Sequence, residues 1–136
     1  MHLFLLHRRL KDEDQDSRRV SQLVFDTFIE DMDRALREAA VGDQTVPKRI
    51  GKMTQVFYGR AGAYEKALQE RQIVEALSVV IARNLYPDDD PAGREMPLAR
   101  YMAWQVADLS RKGAGEIVRL CNIFEGPLLG EDAYVE

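Results

Sequence analysis

Between the glycines and prolines of this chain, apolar residues recur at intervals of three and four, the period of amphipathic helices, and no segment alternates as a strand would. The pattern predicts an all-α chain with no sheet, a single compact domain of about five or six helices. A first helix is expected from Leu3 to Lys11, with Leu3, Leu6 and Leu10 inward, followed by a charged turn over Asp12–Asp16. The second helix is expected to open near Asp16 or Ser17, both capable N-caps, and carries Val20, Leu23, Val24, Phe28, Ile29, Met32, Leu36 and Ala39 on a broad apolar arc. Gly42 is expected to end it in the left-handed conformation that a helix terminus favours.

Pro47 suits the first turn of a third helix, where a missing N–H costs nothing. Its seam is Ile50, Met53, Phe57, Ala61, Tyr64 and Leu68. Gly51, Gly59 and Gly62 interrupt the same helix, each at about 1 kcal/mol relative to alanine. Close approach of another backbone is the usual reason for tolerating that, and packing within the chain is favoured over contact with a partner. A fourth apolar series, Ile73, Leu77, Val80, Ile81 and Leu85, is out of phase with the third, so a turn is expected between Gln69 and Gln72. Pro87, Asp88–Asp90, Pro91 and Gly93 read as a solvated loop. Pro97 then starts a fifth helix with Leu98, Tyr101, Met102, Val106 and Leu109 inward and Arg100, Asp108 and Arg111 outward, with Trp104 at the boundary. A short sixth helix after Gly113 and Gly115 carries Ile117, Leu120, Cys121 and Phe124, and Gly126 and Pro127 stop it.

Composition narrows the class. The chain has 136 residues, 46% of them apolar and 31% charged, which fits one soluble domain with its own core. The one cysteine, Cys121, has no internal partner and lies on an apolar stripe, where a thiol behaves as a small hydrophobe; a cytoplasmic address is expected. The apolar opening His2–Leu6 is too short to span a bilayer and has no basic residue before it, so no targeting segment is read.

A formal charge of −4 disfavours general nucleic-acid binding, but the charge is unevenly spread. Lys48, Arg49, Lys52, Arg60, Lys66 and Arg71 crowd the middle, while the chain after Tyr86 is acidic. No spacing supports catalysis, a metal or a cofactor. His2 and His7 are poorly placed to share a helical face, Gly59 and Gly62 lack the lysine and hydroxyl of a phosphate loop, and the adjacent aspartates of Asp88–Asp90 lack the spacing of a calcium loop. The cluster Glu30, Asp31 and Asp33 reads as a solvated face, with Asp33 and Arg37 spaced for an ion pair. The chemistry left over is Lys48, Arg49, Lys52 and Arg60 alternating with Phe57, Tyr58 and Tyr64, a combination enriched at binding surfaces.

Phe28 to Tyr64 reads FIEDMDRALREAAVGDQTVPKRIGKMTQVFYGRAGAY. Its run Asp31 to Asp33 with Arg34 and Arg37, then Val41-Gly42-Asp43, Val46-Pro47-Lys48-Arg49 and Phe57-Tyr58-Gly59-Arg60 with Tyr64, resembles the ubiquinol-cytochrome c chaperone family. The opening Leu3-Phe4-Leu5-Leu6-His7-Arg8-Arg9-Leu10 shares the resemblance, as do Ala82-Arg83-Asn84 and the helix around Tyr101 more weakly, and it fades beyond Cys121. Family members usually carry a further helical stretch before the His-Arg-Arg element. The expectation is therefore an N-terminally shortened chaperone-like domain over residues 1–127, with a loose tail over 128–136.

The resemblance implies a non-enzymatic assembly chaperone that binds newly made cytochrome b and assists assembly of the ubiquinol-cytochrome c reductase, in a bacterial form. It further implies a small helper protein or the ribosome as other partners, with peripheral contact at the inner face of the cytoplasmic membrane. The partner-binding residues expected on these grounds are Asp31, Asp33, Arg37, Asp43, Lys48, Arg49, Lys52, Phe57, Tyr58, Arg60 and Tyr64. A generic helical adaptor for another membrane-protein client is the alternative. An enzyme would instead require a pocket in which titratable groups converge.

Overall fold

Leu10, Leu77, Met102 and Ile117, drawn from four different helices, are all buried at the centre of the molecule. A computed structural model describes residues 1–119 and residue 124. Its helices are α1 (His2–Leu10), α2 (Gln15–Glu38), α3 (Val46–Ala67), α4 (Ile73–Leu85), α5 (Glu95–Arg111) and α6 (Ala114–Arg119), with no strand among the described residues. None of these helices is long and apolar enough to cross a membrane. Leu120, Cys121 and the segment 125–136, which hold part of the expected sixth helix and the expected tail, lie outside the described residues.

The nine residues of α1 are too few for a stable helix in water, so burial must hold it. Phe4, Leu5, Leu6 and Leu10 are all buried, and at roughly 1.5–3 kcal/mol for each such side chain that burial outweighs the cost of ordering a short helix. Leu3, expected inward, is only half-buried. The polar positions of α1 tie it to other helices. His7 Nδ1 lies 2.9 Å from Ser21 Oγ on α2, and Arg8 Nε donates to Glu65 on α3 at 3.1 Å. Arg9 donates to the carbonyls of Leu109 at 2.9 Å and Lys112 at 2.8 Å, at the end of α5.

Four boundaries differ from expectation. The cap of α2 is Asp14, whose Oδ1 accepts from Ser17 N–H at 2.8 Å, so the helix starts ahead of Asp16. At its other end the left-handed residue is Ala40, φ 57°, and not Gly42. Val41 N–H donates to Leu36 O and Ala40 N–H to Arg37 O, a Schellman closure that sets the reversal two residues before the glycine. Pro47 sits in the first turn of α3 as expected, but α5 begins at Glu95, leaving Pro97 inside its first turn, where amides still lack helical acceptors. Gly115 lies within α6 instead of before it.

The loop between α4 and α5 is closed by Arg94, which reaches Asp89 at 3.3 Å, the Pro91 carbonyl at 2.9 Å and the face of Tyr86 at 4.6 Å, while Asp90 accepts from Ala92 N–H. On α5, Tyr101, Met102 and Leu109 are buried as read, joined by Ala99 and Gln105. Asp108 is not outward: its side chain is largely buried beside Lys112, whose Nζ donates to it at 2.5 Å.

The largest departure concerns α2. Its apolar arc finds little cover, and the only buried residues in its 24 positions are Ser17 and Ser21. Leu23 stays 63% exposed. The first turns of α2 pack on α1, and α3 runs beside it, but α2 does not close extensively onto α4 or α5. Phe25, absent from the predicted arc, instead meets α3, with its ring 5.2 Å from Phe57 and 5.7 Å from Tyr58.

Candidate functional site

Because α3 packs against both α2 and α4 while those two remain apart, a groove of about 580 Å³ opens along α3. From α3 it takes Met53, Val56, Phe57, Ala61 and Tyr64. Phe28 and Leu36 line it from α2, Ile81 and Leu85 from α4, and Leu98 from α5. Met1 and Phe4 complete it at the start of α1. Phe4 and Tyr64 hold one another with rings 5.5 Å apart, which fixes the inner end of the groove to the core.

Arg49, Lys52 and Arg60 also line it, and among the described residues no carboxylate does. On a helix these positions fall on one flank, with Val56 between them. Among the described residues no ion pair engages Arg49 or Lys52, and Arg60 reaches the Asn84 carbonyl at 3.5 Å. Desolvation by burial first, and the Arg60 charge second, lower the pKa of the Met1 amine.

The eleven expected partner-binding residues therefore separate. Arg49, Lys52, Phe57, Arg60 and Tyr64 come together in the groove. Asp31, Asp33, Arg37 and Asp43 do not line it. Arg37 Nε lies 2.6 Å from Asp33 and its NH1 2.7 Å from Asp43, while Arg34 pairs with Asp31 at 3.5 Å. The hydrogen bond with Arg37 lowers the Asp33 pKa, and the same bond raises that of Arg37. Arg37 thus ties the end of α2 to the loop before α3, and each of these three carboxylates already has a cationic partner. Lys48 and Tyr58 are exposed but lie outside the groove, Tyr58 packing edge-on against Phe57.

Gly51, Gly59 and Gly62 also part from expectation. A methyl group added at any of them would meet nothing within 4 Å, so close packing inside the described chain does not explain them. The sequence offers no site signal for Met1, Phe4 or Val56, and it marks Phe28, Leu36, Met53, Ala61, Ile81, Leu85 and Leu98 only as helix-packing positions. A signal was present: Phe28 and Leu36 belong to an arc longer than one neighbouring helix covers.

Residues 1–119 match the family described as Ubiquinol-cytochrome C chaperone. A solved structure described as the Cbp3 homolog from Brucella abortus is similar over 90% of this chain and 69% of that chain, at 32% identity and a TM-score of 0.75. No curated protein matches the sequence. The matched span runs from α1 through α6 and includes every residue that lines the groove, and the same helical fold recurs in the Brucella protein. On these grounds the chain belongs to the ubiquinol-cytochrome C chaperone family.

Proposed function

We propose that this protein is an assembly chaperone for the ubiquinol-cytochrome c reductase and that it binds newly made cytochrome b through the α3 groove. Family membership supports the pathway, and the observation that carries the site is an apolar groove edged by cations that make no ion pair among the described residues, in a chain of net negative charge. The activity is binding. A client segment placed in the groove is shielded from aggregation until its own subunits and haem supply permanent contacts. Open walls suit that task, because a client that must be released cannot be enclosed.

Cytoplasmic residence, with transient contact at the inner face of the membrane, accords with a membrane-protein client. Cytochrome b recovered with the tagged chain from its native host tests the reading. Reversing Arg49→Glu together with Arg60→Glu is expected to lower recovery, with helicity by circular dichroism unchanged. Undiminished recovery from that variant removes the groove from the reading. Normal reductase abundance in cells lacking the gene removes the client, and loss of a different membrane complex in those cells points to a general adaptor.

A further inference from the structure

Every charged side chain of the groove comes from α3, whereas the positions contributed by α2, α4 and α5 are apolar throughout. Arg49 and Arg60 stand 11 residues apart, about 16 Å along the helix at 1.5 Å per residue. The groove therefore has an apolar floor and one charged edge, about three turns long.

We infer that it takes a single amphipathic helix of a partner polypeptide, apolar on the face it buries and bearing carboxylates along the flank beside α3. The inference rests on the binding role proposed above and names the kind of segment bound. Three properties of the groove select this occupant. The first is charge: guanidinium and ammonium groups beside apolar surface, with no carboxylate among the described residues lining the groove, favour carboxylates opposite them and disfavour a basic or neutral segment.

The second is the backbone. An extended segment needs a strand edge to satisfy its N–H and C=O groups, and the described fold has no strand to offer, whereas a helix satisfies its own. The third is openness. Phe28 is 38%, Val56 41% and Leu85 50% exposed, so an acyl chain in the groove would stay partly in water. A helix keeps its polar face hydrated while the opposite face covers these side chains.

The test is fluorescence anisotropy of the full chain with two labelled synthetic helical peptides of about four turns. Both carry leucine on one face; one has glutamate along a flank and the other lysine at the same positions. Phosphatidylcholine vesicles containing phosphatidylglycerol serve as a third probe. The glutamate peptide is expected to bind at least about tenfold more tightly than the lysine peptide, with a preference that shrinks as salt is added. The double variant Arg49→Glu, Arg60→Glu should invert that ranking, and Val56→Asp should weaken both peptides. Unchanged helicity of the double variant by circular dichroism shows that it is folded.

Equal affinity for the two peptides overturns the inference, as does indifference to the groove substitutions or stronger binding to the vesicles than to either peptide. Failure here is separable from failure of the proposed function. A chain that recovers cytochrome b but does not discriminate the peptides loses this inference alone, whereas one that discriminates them but recovers no cytochrome b keeps the groove and loses the client.

Discussion

Arg9 on α1 donates through Nε to the backbone carbonyl of Leu109 at 2.9 Å, joining the first helix to the end of the fifth. Its NH2 group reaches the Lys112 carbonyl at 2.8 Å, and its NH1 pairs with Glu13. Carbonyls at a helix end lack intrahelical donors and carry partial negative charge, so one guanidinium both satisfies and neutralises the α5 terminus. Charge-assisted bonds of this kind contribute about 1.5–3 kcal/mol each, so Arg9→Ala is expected to lower unfolding stability by at least about 2 kcal/mol in a denaturant titration. Arg9→Lys should restore little, because one ammonium cannot reproduce the planar fork.

The end of α2 carries avoidable strain. Ala40 sits at φ 57°, where its Cβ is unfavourable. Ala40→Gly removes a penalty of about 1 kcal/mol, and the melting temperature should rise. Gly42→Ala should change it little, since Gly42 is not at positive φ and an added methyl would meet nothing within 4 Å.

The glycines of α3 allow stability and binding to be separated. Alanine at Gly59 or Gly62 meets no neighbour in the described chain and should stabilise the helix by about 1 kcal/mol at each site. Thermal melting measures that gain. Reduced recovery of the client from the same, more stable variant would assign the glycine face to partner contact, and unchanged recovery would confine binding to the groove.

The direction of the His2 shift predicts that part of the stability depends on pH. Desolvation by burial, and secondarily the nearby Met1 amine, lower its pKa below the ordinary 6.5. Its Nε2 lies 2.8 Å from the Tyr101 hydroxyl, which accepts from Gln105 Nε2 at 2.9 Å and is thus suited to donate its own proton to a neutral imidazole. A base with a lowered folded pKa binds protons more tightly when unfolded. The contribution is therefore complete above about pH 6.5 and is lost as pH falls from there toward the folded value. Melting temperatures from pH 7.5 to pH 5 should fall more for the wild type than for His2→Gln. An equal fall in both would show that His2 does not supply the proton linkage.

Sequence alone determined the helical class and most of the breaks. Intervals of three and four are a property of each segment by itself, and the turn after Leu68 and the loop from Pro87 to Gly93 follow from local chemistry. The ion pair of Asp33 with Arg37 was legible for the same reason, since its partners are one helical turn apart. Tertiary structure decided which apolar faces meet. A hydrophobic stripe states that a helix can bury a face, but the neighbours that cover it are set by helices distant in sequence. The arc of α2 was readable, yet that it would lie beside α3 and leave a groove toward α4 and α5 was not. The same is true of charge. The cations of α3 were visible as a cluster, and only packing separated Arg49, Lys52 and Arg60 on the groove from Lys48 outside it, because position along a helix fixes direction while the arrangement of other helices fixes what that direction meets.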